Sequence, residues 1–286
     1  MKKISLITPC FNAEKYIEET IHSVVNQTAL TSGTLSLEYI FCDGGSKDKT
    51  VETIENSIRK ISAPNYSFQV YSEKDNGMYE ALSKGLKKVT GDYCAYINAG
   101  DFYAPYAFDI IGEIFENENI QWLTGSRVHY NEKSQVISMR TPLRYRKLFI
   151  RKGFYGLILP YIQQESTFWK SELNGLLDHS RLSALKMAGD YYLWHCFAAK
   201  ADLFVVESYL AGFKIQKGQK SENHSEYQKE VSQFIRNRYG KAILYSPLII
   251  YDLLYYLQDI NKKWLNTKTL VTFHQGKGLW TTARSL

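Results

Sequence analysis

The chain has 286 residues, 44% of them apolar and 22% charged, the composition of an ordinary globular protein with a core of normal size. Its net charge of +6 comes without a long Lys/Arg tract, which argues against nucleic-acid binding and fits an anionic small ligand or an anionic membrane surface. No apolar run reaches the roughly 20 residues that a spanning helix needs, and Pro9 and Asn12 interrupt the first apolar run too early for a signal peptide. The expectation is a cytoplasmic protein, with room for a peripheral contact on the membrane face.

Lys3 to Thr8 is a short apolar run that reads as a buried strand, and Glu14 to Asn26 sets Tyr16, Ile17, Thr20, Ile21, Val24 and Val25 on one helical stripe. Leu37 to Cys42 is a second strand, Lys47 to Lys60 a second helix, and Phe68 to Tyr71 a third strand. Asn76-Gly77 turns into a third helix with Met78, Leu82, Leu86 and Val89 inward, and Tyr93 to Ile97 is a fourth strand. This βαβαβαβ alternation predicts an α/β fold with a mostly parallel sheet flanked by helices. The four cysteines, Cys10, Cys42, Cys94 and Cys196, form no CxxC pair and are expected as reduced thiols, largely buried.

The second half is less regular. Trp122 to Tyr130, Gln135 to Arg140 and Gln163 to Trp169 read as strands, with a basic loop and a short helix from Arg140 to Lys152. Gly189 to Ala199 is a helix, Leu203 to Val206 and Leu210 to Ile215 are closing strands, and a further helix is expected from about Glu226 to Tyr239. Residues 248–265 are apolar and aromatic, with Pro247 at the first helical position. That segment could lie in a membrane interface, pack on the domain or pair with a second subunit, so a homodimer is among the arrangements admitted.

In parallel sheets, ligands bind beyond the carboxyl ends of the strands. Those ends here carry Thr8-Pro9-Cys10-Phe11-Asn12, Asp43-Gly44-Gly45-Ser46-Lys47-Asp48, Glu73-Lys74-Asp75-Asn76-Gly77 and Asn98-Ala99-Gly100-Asp101. Together with Gln163-Gln164-Glu165-Ser166-Thr167-Phe168-Trp169, Ala188-Gly189-Asp190-Tyr191 and Gly212-Phe213-Lys214-Ile215, they resemble glycosyltransferase family 2, over roughly residues 3–225. The resemblance implies a GT-A fold and an inverting transfer of sugar from a nucleotide-diphosphate donor, a UDP-sugar foremost. The implied acceptor is a glycan or a polyprenyl-diphosphate-linked sugar, as in the building of bacterial polysaccharide, O-antigen or capsule. It also implies a domain division: residues 1–225 as the transferase domain, with a nucleotide-binding half (1–101) and an acceptor-binding half (102–225), and 226–286 as a helical C-terminal extension.

The chemistry of such a reaction assigns expected roles. A diphosphate leaving group calls for Mg²⁺ or Mn²⁺ held by oxygen ligands, and by resemblance Asp101 is the metal ligand. The family's acidic motif keeps only one carboxylate here, so Asn98, with Ala99 and Gly100, would contact the donor's ribose or sugar. Asp43 would accept the N3–H of a uracil ring, with Thr8, Pro9 and Phe11 as the wall of the base pocket, Asn12 lending polarity, and Asp75 on the ribose or base side. Asp190, at a helix start, is the expected general base, ionised at neutral pH by the helix dipole. Gln164, Glu165 and Trp169 could meet the acceptor or donor sugar, and Lys214 and Lys217 could neutralise the diphosphate. Plain turns and helix caps account for many of these residues taken singly. Two other readings stand beside it: a catalytically silent nucleotide-sugar-binding module, and a nucleotidyltransferase, against which Thr8 to Asn12 lack the glycine and basic residues of a phosphate loop.

Overall fold

The computed structural model describes residues 1–117, 119–142, 144–215, 219, 223–235, 247–250 and 268–282. The first hundred residues form β1 (Lys2–Cys10), α1 (Ile17–Val25), the short α2 (Thr28–Thr31), β2 (Leu35–Asp43), α3 (Thr50–Arg59), β3 (Tyr66–Ser72), α4 (Met78–Leu86) and β4 (Tyr93–Tyr96). Then come β5 (Phe102–Tyr103), α5 (Ala107–Asn117), β6 (Trp122–Thr124), β7 (Arg127–Tyr130), β8 (Val136–Arg140), α6 (Lys147–Arg151), α7 (Phe154–Leu157) and β9 (Thr167–Lys170). A 3-10 turn (Ser171–Leu176) leads to α8 (His179–Ala184), α9 (Gly189–Lys200), β10 (Phe204–Val206), β11 (Ala211–Lys214), α10 (His224–Gln233), β12 (Leu270–His274) and β13 (Leu279–Thr282).

The described strands form a nine-stranded sheet in the order β13-β12-β10-β6-β9-β4-β1-β2-β3 and a four-stranded sheet in the order β5-β11-β7-β8. In the large sheet β9 runs antiparallel to both neighbours and β13 antiparallel to β12, while the remaining pairs are parallel. The two-residue side-chain period of a strand divides the core between the sheet's faces. Ile4, Leu6, Tyr93 and Ala95 pack in one layer, and Ile7, Cys94 and Tyr96 in the other. Buried apolar surface on both faces explains why these strands read as continuous apolar runs rather than as alternating ones. All four cysteines are free, and Cys10, Cys42 and Cys94 are buried.

Three local outcomes differ from the sequence reading. The single strand expected over Trp122 to Tyr130 breaks at Gly125, where a Cβ would stand 2.8 Å from Leu210 Cγ; β6 stays in the large sheet and β7 turns into the small one. The strand expected from Gln163 begins only at Thr167, because a turn forms first: the Thr167 amide donates to Gln164 O (3.0 Å) and the Thr167 hydroxyl to Gln163 O (2.7 Å). Residues 270–274 and 279–282, for which the sequence suggested no strand, form a hairpin whose β12 pairs in parallel with β10. Of the helix expected from Pro247, residues 247–250 are helical and 251–265 lie outside the described residues. Among the described residues no helix is long and apolar enough to cross a membrane.

Candidate active site

The loops after β1 and β2 are bound tightly to each other. Asp43, the last residue of β2, is buried, and its carboxylate accepts from the amides of Gly45 (3.1 Å) and Ser46 (3.0 Å) and from the hydroxyls of Ser72 (2.6 Å) and Ser46. Asn12 takes a left-handed conformation (φ 48°), a region that asparagine tolerates better than most residues. Its side-chain oxygen accepts the Lys47 amide at 3.0 Å. Across this loop Asp75 accepts the Gly77 amide at 2.8 Å, and its carboxylate lies so close to Gly44 that a Cβ there would stand 2.9 Å from Oδ2. Asp43 and Asp75 line a cavity of about 530 Å³ between the end of β3 and α4, with Tyr71, Ser72, Lys84 and Lys88 among its walls.

A second cavity, of about 600 Å³, opens beyond the ends of β4 and β11 and collects Asn98, Ala99, Asp101, Gln164, Glu165 and Asp190. Its Asp101 is fixed from two sides. The Lys214 amide of β11 donates to Oδ1 at 2.9 Å, and the Thr20 hydroxyl of α1 donates to the Asp101 carbonyl at 2.9 Å. Gly100 makes the turn with φ 107°, where a side chain would be strained. Burial pushes the Asp101 carboxyl up to about 7, because a charged group loses hydration inside protein. Asn98 donates from Nδ2 to Gln164 Oε1 at 3.1 Å, while its own Oδ1 is buried without a hydrogen-bond partner. Glu165 accepts from the Gln163 side chain, and burial together with the nearby Asp101 charge holds its carboxyl well above the usual carboxylate range.

Asp190 is the second residue of α9 and accepts the Tyr191 amide at 2.6 Å. The side chains of Tyr79 and Tyr227 line the same cavity as its carboxylate. Gly189 makes this packing feasible: the buried Tyr79 ring lies where a Cβ on residue 189 would be, and its hydroxyl continues to Met187 O at 3.0 Å. The sequence reading expected the helix dipole to leave Asp190 ionised at neutral pH. Burial among these rings outweighs the dipole and pushes its carboxyl up to about 7.

Several expected roles are overturned by where the side chains sit. Thr8 cannot wall a base pocket, since it is fully buried and its hydroxyl bonds Tyr39 OH at 3.0 Å. Pro9 is buried in the β1–β2 pairing, whereas Phe11 is 61% exposed and lines neither cavity. Trp169 offers no face to a sugar: it is fully buried, its ring 6.0 Å from that of Trp194, and Nε1 donates to Asn174 Oδ1 at 2.8 Å. The Lys214 ammonium is buried against Glu19 at 2.6 Å, so this residue serves the site through its backbone amide and not through its charge. Asp43 spends its acceptor capacity on its own loop and on Ser72 at the end of β3. Lys217 lies outside the described residues. The sequence reading missed Tyr79, Arg127, Tyr161, Met187 and Tyr227, all of which line the second cavity. For Tyr227 a signal existed: Tyr227, Val231 and Phe234 recur at helical spacing, the stripe of a helix that packs one face.

Comparison with known proteins finds glycosyltransferases in both sequence and structure. A glycosyltransferase of Rickettsia typhi, itself uncharacterised, is 27% identical over 210 residues, 70% of this chain and 60% of its own length. A Mycobacterium bovis PGL/p-HBAD biosynthesis glycosyltransferase is 25% identical over 169 residues, 55% of this chain and 62% of its own. A Haemophilus influenzae glycosyltransferase, also uncharacterised, is 36% identical over 104 residues; the chain spans 38% of that relative's length. Among solved structures, Staphylococcus aureus TarS 1-349 in complex with UDP-GlcNAc superposes with a TM-score of 0.61 at 16% identity, covering 93% of this chain and 76% of that one. The Pyrobaculum calidifontis mannosyltransferase PcManGT in complex with GDP-Man and Mn²⁺ gives 0.56 at 16% identity, covering 92% and 71%. These likenesses show the fold, a mixed sheet flanked by helices of the GT-A kind that the motifs implied. Residues 5–171, more than half of the chain, match the model of glycosyl transferase family 2, and the chain belongs to that family.

Proposed function

We propose that the protein is an inverting glycosyltransferase that moves a sugar from a UDP-sugar to a hydroxyl of a glycan or lipid-linked acceptor at the cytoplasmic membrane face, in the synthesis of a bacterial surface polysaccharide. The observation that carries the reading is the shared cavity: Asp101 and Asp190, 89 residues apart in sequence, line one space of about 600 Å³ beyond the strand ends. UDP-sugar partners in TarS and GDP-mannose with Mn²⁺ in PcManGT support a nucleotide-sugar and a divalent cation.

The residues fit such a cation. Asp101 is a carboxylate on the cavity wall, and the side-chain amide oxygen of Asn98 in the same turn is buried without a hydrogen-bond partner; hard oxygen donors of this kind suit Mg²⁺ or Mn²⁺. When bound, the cation would offset the charge of the departing diphosphate. Asp75 is the carboxylate placed to read the base, since one of its oxygens is left over after the Gly77 amide, whereas Asp43 holds the loop on which the base would rest. Gln164, fixed by Asn98 and by the Tyr96 carbonyl, presents a rigid amide to the transferred sugar. Asp190 takes the proton of the acceptor hydroxyl as that oxygen bonds to C1 and the C1–O bond to the diphosphate breaks. A carboxyl held near 7 suits a base working at neutral pH. In this account residues 1–101 serve the donor and 102–225 the acceptor.

Nucleotide release from UDP-GlcNAc with Mn²⁺ tests the reading. Release of UDP is expected. Release of pyrophosphate would instead identify a nucleotidyltransferase, and binding without any release a silent module.

A further inference from the structure

Strand β7 joins the larger cavity to the outer edge of the small sheet. Its backbone is held firmly at its start. The Ser126 amide donates to Ser208 O at 2.8 Å, and the Gln163 side chain both accepts the Val128 amide (3.0 Å) and donates to the Val128 carbonyl (2.9 Å). The two-residue period of the strand buries Val128 and Tyr130 and leaves Arg127 and His129 on the other face, where both line the cavity. In the antiparallel pairing of β7 with β8, Arg127 stands directly opposite Arg140. Residues so placed share a face with their Cβ atoms about 5 Å apart, and like charges there repel each other. Among the described residues neither guanidinium has a hydrogen bond or an ion pair. The other basic groups of this cavity are engaged: Lys186 Nζ donates to Asn76 O at 2.6 Å, and His224 Nδ1 is bonded to Tyr161 OH at 3.0 Å. Nor do the cavity's acids cancel the arginine charge. Burial holds Glu165 well above the usual carboxylate range and pushes Asp101 and Asp190 up to about 7.

We propose that Arg127 and Arg140 form a binding site for the phosphate groups of the acceptor, which makes the acceptor a sugar carried on a lipid diphosphate rather than a neutral glycan. The inference rests on the transferase reading and deepens it. Each guanidinium presents a planar fork of N–H donors that meets phosphate oxygens two at a time. An anion bound between the two relieves the repulsion across the strands. The donor's diphosphate has the cation expected at Asp101 to offset its charge, so it does not call for this pair. Arg140 is exposed on β8, the end strand of the small sheet, and the pair therefore leads outward from the cavity. Phe213 and the exposed Ile215 line the same cavity and offer apolar surface to the first isoprene units of a lipid carrier.

The test is calorimetric titration of farnesyl diphosphate into the full chain saturated with UDP, with farnesol as the uncharged control. The wild type should bind the diphosphate more tightly than the alcohol. Arg127→Gln and Arg140→Gln should each weaken the diphosphate about tenfold, the loss expected for one charge-assisted hydrogen-bonding partner. Arg127→Lys should weaken it less than Arg127→Gln, because it keeps the charge and loses only the fork. The affinity for UDP alone should stay the same in all three variants. A wild type that does not bind farnesyl diphosphate, or binds farnesol as well, would overturn the proposal, as would variants that bind the diphosphate like the wild type. Variants that lose UDP affinity and keep farnesyl diphosphate would overturn it too, and would assign the arginines to the donor's phosphates. Arg140 is exposed, so Arg140→Gln carries the test if Arg127→Gln does not fold. Release of UDP from UDP-GlcNAc separates this from the underlying reading. If the wild type releases none while the titrations come out as expected, the transferase reading fails and the phosphate site stands. If UDP is released and the variants leave farnesyl diphosphate affinity in place, only the arginine site fails.

Discussion

Gly189→Ala sets two effects of opposite sign against each other. Residue 189 is the first residue of α9, and alanine is favoured over glycine in a helix by about 1 kcal/mol. Judged on propensity alone, the variant should be more stable. The structure places the new Cβ 2.6 Å from Tyr79 Cε1 and nearer still to Cγ and Cδ1, so the ring or the helix must move. Tyr79 is 3% exposed and its hydroxyl is bonded to Met187 O at 3.0 Å, which leaves the ring little freedom to swing aside. Overpacking of this kind costs roughly 1–3 kcal/mol, and loss of the Tyr79 hydrogen bond about 1 kcal/mol more. The net expectation is a destabilisation of about 1–3 kcal/mol. Urea unfolding followed by fluorescence reads it directly, and the double variant with Tyr79→Ala should show the alanine's penalty vanish. A Gly189→Ala protein as stable as the wild type, or more so, would refute the packing argument for Gly189.

Asp190→Asn should retain nucleotide-sugar binding and lose transfer by a factor on the order of 10²–10⁴; binding and turnover lost together would point to a structural role instead. The wild-type rate should rise as pH climbs through about 7, because the base acts only when deprotonated. The same carboxyl has a sign for stability. Its folded value lies above its unfolded one, so the folded state binds the extra proton and the Asp190 contribution to stability should decline as pH rises from about 4 to about 7; Asp190→Asn should flatten that slope in a melting-temperature series. Asp43→Asn should lower the melting temperature, since the carboxylate joins two loops, whereas Asp75→Asn should weaken UDP binding measured by calorimetry with little change in stability. Trp169→Phe should cost stability by leaving Asn174 without its donor and a gap in the core, and donor affinity should stay as it was.

Much of the fold was legible in the first hundred residues because strands and helices there alternate with short turns, and the apolar runs and stripes mark them directly. The rule that ligands collect at strand ends pointed to Asn98 to Asp101 and the resemblance to Asp190, and Asn98, Asp101 and Asp190 line one cavity. The losses have physical causes. Thr8 and Trp169 are residue types that suit a sugar site and a core equally well, and only the packing, with Tyr39 above one and Asn174 beside the other, decides between them. Lys214 looks like a phosphate ligand because sequence shows its charge and hides its amide, which is the group that meets Asp101. Asp190 was expected to be ionised because a helix start can be read from a sequence, whereas three tyrosines arriving from α4, α10 and the loop before β9 cannot. Tyr227 sits in a polar segment where its neighbours Ser225, Glu226 and Gln228 conceal it unless the helical period is followed past the motif-bearing part of the chain.

The measurement that bears most directly on the shared cavity is thermal stabilisation by a panel of nucleotide-sugars, with and without Mn²⁺, on the wild type and on Asp101→Asn. Uridine-linked sugars should raise the wild-type melting temperature most when Mn²⁺ is present, and Asp101→Asn should lose the Mn²⁺-dependent part. Indifference of the wild type to every uridine donor, or an undiminished Mn²⁺ effect in Asp101→Asn, would contradict the account.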